Sequence, residues 1–85
     1  MYVDIGGDMA VMARSLIGIF DLDGASRSKK TIEFLKEAEN NGELISVTED
    51  IPKTFLVTVE YGMQHVYLTH YSPLTLEKRF VTDRR

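Results

Sequence analysis

The chain has 85 residues, of which 44% are hydrophobic and 27% charged, and its formal net charge is −3. This length allows one domain, since typical domains run to roughly 100–150 residues, and the composition excludes a disordered protein. The absence of cysteine excludes disulfides, and with His65 and His70 as the only histidines the sequence argues against a metal centre. The negative charge argues mildly against nucleic acid as a partner, because DNA binding requires Lys and Arg at the phosphates.

Self-association is the remaining source of extra stability. A single small core rarely supplies more than about 3–5 kcal/mol, so small domains often add disulfides, a metal or a partner chain. The opening residues, MYVDIGGD, hold no basic segment and no apolar signal core. No apolar run approaches the ~18 residues that a membrane span needs. We therefore expect a cytoplasmic protein that self-assembles and has no membrane span.

The first third of the chain predicts a hairpin and then a strand that is apolar on both sides. Tyr2 to Ile5 alternates polar and apolar residues, Gly6-Gly7-Asp8 supplies a turn, and the chain returns over Met9 to Met12. The run from Ser15 to Leu22 has too many apolar residues for one face only, so both of its sides must be covered. Strict alternation places Leu16, Phe20 and Leu22 on one face and Ile17 and Ile19 on the other.

A helix follows this strand. Ser26 or Ser28 can cap its first turn, and Asn40-Asn41-Gly42 ends it, because Asn and Gly accept the left-handed conformation. Ile32, Leu35 and Ala38 share one stripe, with Phe34 beside it, and charged residues occupy the opposite face.

The last part of the chain predicts more strands and a second helix. Glu43 to Thr48 is a strand candidate, and Lys53 to Glu60 and His65 to Tyr71 form an antiparallel pair around a turn. Ser72 caps a short C-terminal helix, since Pro73 suits the first helical position.

These elements predict an α+β domain over residues 1–81, with a frayed tail at 82–85. Its antiparallel sheet has about five to six strands, one main helix and a short C-terminal helix. One helix cannot cover both faces, so the double-sided strand predicts that the other face meets a second copy. The candidate interface residues are Ile17, Ile19, Tyr67 and Tyr71.

The run IGIFDLDG, Ile17 to Gly24, resembles the first motif of the haloacid dehalogenase phosphatases. In that family the first aspartate is the nucleophile and the second the acid/base, both beside a magnesium ion; Asp21 and Asp23 would take these roles. The match ends in Ala25, where the family has Thr, and the chain has no room for the required parallel sheet. We interpret the run as a strand end and expect no catalytic residue, metal or cofactor.

A second resemblance covers the chain from its N-terminus to about Phe80. The matching segments are YVDIG at the start, VMARSLIGIFD from Val11, AENNGELI from Ala38, PKTFLVTV from Pro52 and YSPLTLEKR from Tyr71. Together they resemble the RemA/RemB family of small bacterial regulators of biofilm-matrix genes, and the second, fourth and fifth are closer to the RemB branch. The resemblance implies a compact α+β protomer, assembly into rings, and DNA binding by RemA-type members through arginines around the ring.

The cations that this resemblance implies are only partly present. The RemA pattern has Asn-Arg where this chain has Arg14-Ser15, and Arg-Lys-Thr-Arg where it has Pro52 to Phe55, so only Lys53 keeps its charge there. Arg14 and Lys53 are the first candidates for DNA contacts, with a solvated cation or ion-pair partner as the alternative. The second candidates are Lys78 and Arg79, near Arg84 and Arg85, which could instead complement the helix dipole.

The leading hypothesis is an oligomeric transcriptional regulator of biofilm-matrix genes that sums basic side chains by symmetry into a surface for double-stranded DNA. The main alternative is an accessory protein that pairs with a related regulator subunit and does not bind DNA. A magnesium-dependent phosphatase is the remote alternative. His65 and His70 would point to opposite faces of a strand and cannot share a metal there. Tyr67 and Tyr71 can stack on bases, but packing or a subunit interface is the favoured interpretation.

Overall fold

The fold is α+β, as the sequence predicts, and the described residues form six strands and two α-helices. The structure is a computed structural model, and it describes residues 1–22 and 28–83. The elements are β1 (Tyr2–Gly6), β2 (Met9–Met12), a 3-10 turn (Ala13–Ser15), β3 (Leu16–Asp21), α1 (Lys29–Asn40), β4 (Leu44–Ser46), β5 (Thr54–Glu60), β6 (Met63–Thr69) and α2 (Pro73–Asp83).

The strands form two sheets rather than one. β1 and β2 make a separate antiparallel hairpin, and the other four strands make a sheet in the order β3-β5-β6-β4. β5 pairs antiparallel with both β3 and β6, whereas β4 lies parallel to β6. The predicted antiparallel pairing is therefore found at β3, β5 and β6, but not at β4, which is parallel to its neighbour. β4 is also shorter than the predicted strand over Glu43 to Thr48.

One face of the four-stranded sheet is covered by the hairpin and α2. The buried residues at this contact, here called core 1, are Val3, Ile5, Val11, Ala13, Leu56, Leu76 and Phe80, with Leu16 and Ile19 among those packed against them. Leu56 in the sheet and Leu76 in α2 are both 0% exposed. The C-terminal helix thus closes this face of the sheet, and at 11 residues it is longer than the short helix predicted.

The opposite face of the sheet is covered by α1. The buried residues here, core 2, are Ala38, Phe55, Val57 and Val66, with Leu22, Phe34, Leu35, Leu44 and Leu68 packed around them. Of the predicted helix stripe, Leu35 and Ala38 face the sheet, but Ile32 is 41% exposed. The expectation that a second copy must cover one sheet face is therefore wrong, because the hairpin and α2 already cover it.

The predicted end of α1 is confirmed in detail. Gly42 takes a φ of +73°, its N–H donates to Glu39 O (3.1 Å), and the Glu43 N–H donates to Ala38 O (2.9 Å). These two bonds form a Schellman motif, which satisfies carbonyls that the last helical turn leaves free. The chain can then turn directly into β4.

Buried threonine hydroxyls join the end of β6 to the rest of the fold. The Thr69 hydroxyl donates to Ile5 O (2.6 Å) and accepts from the Tyr71 N–H (3.2 Å), while the Thr54 hydroxyl donates to Tyr71 O (2.7 Å). Each bond gives a buried polar group its partner, as burial requires. The segment leading into α2 is thereby fixed against both sheets.

We predict that the two helices differ in their dependence on their N-cap serines. Ser72 Oγ accepts the Thr75 N–H at 3.2 Å, whereas Ser28, the N-cap of α1, makes no side-chain cap bond. Ser72→Ala should therefore lower the free energy of unfolding by about 1 kcal/mol, and Ser28→Ala should lower it by clearly less. Urea denaturation of both variants measures this, and equal losses would contradict it. Ser26 lies outside the described residues.

Among the described residues, neither helix is both long enough and apolar enough to cross a membrane.

Candidate nucleic-acid interface

Arg14 projects from a short turn whose backbone is held on both sides. The Ala13 N–H donates to Met1 O (2.9 Å), and the Ser15 hydroxyl donates to Met12 O (2.7 Å). Ala13 and Ser15 are buried, so the residue between them points outward. The Arg14 Nε–H donates to Met12 Sδ (3.1 Å), and the guanidinium makes no ion pair within residues 1–22 and 28–83. A fixed turn therefore presents an exposed cation to the solvent.

Lys53 is the second exposed cation on a fixed backbone. Its N–H donates to Thr69 O and its carbonyl accepts the Leu22 N–H, both at 2.9 Å. Its ammonium forms no ion pair with any described residue. Hydrogen bonds to Thr69 and Leu22 therefore hold the backbone of Lys53 while its side chain remains exposed.

The two cations lie at opposite ends of the β3–β5 ladder. Leu16 pairs with Thr58 at the Arg14 end, and Asp21 pairs with Thr54 at the Lys53 end. At about 3.3 Å per residue, the two backbones are roughly 15–20 Å apart. A single protomer does not bring Arg14 and Lys53 together at one phosphate.

Arg79 is engaged inside the protomer. Its Nη1 lies 3.2 Å from Asp4 Oδ2 and 3.3 Å from Asp4 O, and its guanidinium carbon stands 4.6 Å from the centroid of the Tyr71 ring. Arg79 is therefore an ion-pair partner of Asp4, although such an exposed pair contributes no more than about 1 kcal/mol. The helix-dipole alternative does not describe it, because the last turn of α2 holds no basic residue. Lys78 is exposed on the same helix. Arg84 and Arg85 lie outside the described residues.

Tyr67 and Tyr71 belong to the protomer's own packing. Both are half-buried against core 1. Burial, and then the nearby Glu60 carboxylate, raise the pKa of Tyr67 above its ordinary value. Packing inside the protomer accounts for both rings, and their role at a subunit interface stays a prediction.

A bulge in β3 changes which residues share a face. Leu16 pairs with Thr58 but Gly18 pairs with Val57, so Ile17 is an extra residue in the ladder. As a result Ile19 joins Leu16 against core 1, while Ile17 is 66% exposed on the α1 side together with Phe20. The predicted alternation, with Ile17 and Ile19 on one face, is wrong, and only Ile17 of the two is available to a partner.

An aromatic groove beside Ile17 was missed by the sequence analysis. The rings of Phe20 and Phe55 stack at 4.9 Å between centroids, and Phe34 lies 6.1 Å from Phe55. They line an open cavity of about 380 Å³ between α1 and β3. Gly18 was the available signal, since glycine inside a strand often marks a bulge or a close approach, and a Cβ there would lie 2.7 Å from the Phe20 ring.

The position of Asp21 differs from that of a phosphatase nucleophile. Within the described residues β3 pairs only with the antiparallel β5, whereas the phosphatase motif belongs at the end of a strand in a parallel sheet. Across the described part of the chain, no three His, Asp or Glu side chains are grouped to hold a metal. Asp23 and Ala25 lie outside the described residues.

The histidines are set in different surroundings. The His65 ring lies 6.1 Å from that of Tyr67, and the His70 ring 4.6 Å from that of Tyr71. The buried Nδ1 of His70 has no hydrogen-bond partner among the described residues.

Comparison with known proteins gives two findings that cover most of the chain. Residues 2–80 match the RemA-like family, described as Extracellular matrix regulatory protein A-like. The chain is also 35% identical over 79 residues to Extracellular matrix regulatory protein B of Bacillus subtilis (strain 168), an alignment that spans 93% of this chain and 89% of the relative. The family match runs from the first residue of β1 to Phe80 in α2, and so takes in both cores.

Proposed function

This chain belongs to the RemA-like family of extracellular matrix regulatory proteins, and from that premise we propose that it controls matrix genes by binding double-stranded DNA as a homo-oligomer. The family confirms the resemblance on which the regulatory hypothesis rests. A regulatory role in matrix production supports a task in gene control rather than a reaction to catalyse.

The observation that carries the DNA part of the proposal is Arg14. A guanidinium on a fixed turn, without a carboxylate partner among the described residues, can approach phosphate without first breaking an ion pair. Its turn is already ordered by the Ser15 and Ala13 hydrogen bonds, so little conformational entropy is lost on binding. Contacts to phosphate fix the position of a protein on the duplex.

Assembly supplies the number of contacts that one copy lacks. One copy has a net charge of −3 and its two unpaired candidate cations stand far apart, so a single protomer offers too few contacts for stable binding. A symmetric assembly repeats Arg14 and Lys53 at regular intervals along one surface. The affinity then depends on how many copies touch the same duplex.

The test is the salt dependence of binding for the native protein and for Arg14→Gln. The logarithm of the association constant should fall with the logarithm of salt concentration by about 0.9 per neutralised phosphate. Arg14→Gln should reduce this slope by at least about one and weaken binding at least about tenfold, because every bound copy loses a contact. Fluorescence anisotropy with a labelled duplex gives both quantities.

Lys36→Gln is the matched control. It removes one exposed positive charge from α1, away from the turn, and so changes the net charge equally. A loss of affinity as large as that of Arg14→Gln would point to net charge rather than to Arg14. No binding to any duplex at low salt would overturn the DNA proposal.

An accessory role without DNA is the second candidate, and Arg79 is the observation that favours it. This cation is paired with Asp4 and stacked on Tyr71, so it adds little positive potential outside the protomer. The accessory role predicts an assembled protein without affinity for DNA, which joins a related regulator subunit. Co-purification of the two chains would support it.

A further inference from the structure

Helix α1 carries its charges in the order that opposes its own dipole. Lys29 and Lys30 lie in the first turn, Glu37 and Glu39 lie near the last, and the first turn holds no acid and the last no base. The N-terminus of a helix is the positive end of its dipole, so this arrangement destabilises the helix. None of the four makes an ion pair with another described residue, so no ion pair within that part of the chain compensates.

The two ends of α1 stand over the two open edges of the sheet. The first half packs with Phe34 and Lys30 beside β3, and the second half packs with Ala38 beside β6 and β4. β3 and β4 are the outer strands, and each is paired on one side only within the described chain. One edge is thus flanked by lysines and the other by glutamates, among them Glu43 just before β4.

The β3 edge also exposes apolar surface. Ile17 is 66% exposed and Phe20 43% exposed, above the groove floored by Phe55 and Val57. Edge strands in soluble proteins are usually protected by charges or prolines, because an open edge invites pairing with another strand. Here the bulge instead turns an isoleucine outward.

From these observations we infer that the β3 edge receives the β4 edge of a second copy, a contact that rests on the assembly proposed above. The acidic end of α1 in one copy then lies beside Lys29 and Lys30 of the next, and successive α1 dipoles run head to tail. Contact between two β3 edges is disfavoured, since it would bring four lysines together. Because the joined edges are different, every protomer keeps one of each free until the chain of copies closes into a ring.

Charge reversal tests the contact. Lys29→Glu with Lys30→Glu, or Glu37→Lys with Glu39→Lys, should each shift the protein from oligomer to monomer, and all four substitutions in one chain should restore the oligomer. Native mass spectrometry without DNA measures the mass. The reversed charges agree with the helix dipole, so circular dichroism should show that each reversed chain still folds.

Ile17→Asp is a second, independent variant, with Ile51→Asp as its control. Ile51 is 88% exposed and lies outside both edge strands, in the loop between β4 and β5, so only Ile17→Asp should give monomer. Unchanged mass in Ile17→Asp and in both charge-reversed pairs overturns this inference but leaves an assembly through another surface. A native protein that is monomeric at all concentrations overturns both this inference and the proposed assembly. If each charge-reversed pair gives monomer but the chain with all four substitutions does not regain the oligomer, the pairing of the β3 edge with the β4 edge is overturned.

Discussion

Leu76→Ala is expected to lower the free energy of unfolding by about 2–5 kcal/mol, the range for removing most of a buried leucine. Leu76 is 0% exposed and is the α2 residue at the centre of core 1. A domain of this size is stable by only on the order of 5–10 kcal/mol. The substitution should therefore populate the unfolded chain measurably and loosen the hairpin that α2 holds against the sheet.

Leu74→Ala makes the same chemical change on the same helix, at a side chain that is 60% exposed. We expect it to change the free energy of unfolding by no more than about 0.5 kcal/mol, as for most surface substitutions. Urea denaturation at one fixed protein concentration should be used for both, since assembly shifts apparent stability. Similar midpoints for the two variants would mean that α2 does not close core 1.

Gly7→Ala is the second substitution with a large expected effect, although Gly7 is an exposed turn residue. Its φ is +57°, a conformation that costs an alanine roughly 1–2 kcal/mol. A Cβ would also overlap the Val47 carbonyl oxygen and stand 3.0 Å from its carbon. Because the neighbour is backbone, the overlap cannot be relieved by rotating a side chain, and a further loss of about 1–3 kcal/mol is expected.

Gly42→Ala separates the two causes of this loss. Gly42 has a φ of +73°, but nothing lies within 4 Å of a Cβ built there. It should show the conformational cost alone, and the difference between the two variants measures the contact between the hairpin turn and Val47. Equal losses in thermal or urea unfolding would show that this contact does not restrict the hairpin.

Both faces of the four-stranded sheet are covered within the protomer, so an open sheet face is no longer a reason to expect assembly. A double-sided apolar strand suggested that a sheet face was open, yet each face is closed by an element of the same chain, one by α1 and the other by α2 with the hairpin. Within the described residues, the edges of β3 and β4 stay open, and Ile17 and the groove lie beside the β3 edge. Self-association is therefore proposed through sheet edges, where backbone pairing and the opposite charges of α1 act together.

Among the candidate site residues, the DNA contacts stay predictions, and the structure tests only where each side chain lies. Arg14 is a candidate through the resemblance to the family pattern, and the structure finds it exposed on a turn closed by Ser15. The role of Arg79 depended on Asp4, which is 75 positions away in the chain. Such a pair leaves no local pattern, so the sequence indicated only a phosphate contact or the helix dipole for Arg79 and missed the ion pair.

The sequence alone determined where turns form and where helices begin and end, because these depend on local chemistry. Backbone preferences and hydrogen bonds within a few residues set three such points: the turn at Gly6-Gly7-Asp8, the end of α1 at Asn41-Gly42 and the start of α2 at Ser72-Pro73. Only the tertiary structure decided the bulge at Ile17, the parallel pairing of β4, and the covering of core 1 by α2. These features are set by contacts between segments that are distant in sequence. The energies of such contacts can outweigh the local alternation of polar and apolar residues and shift the pairing of a strand by one residue.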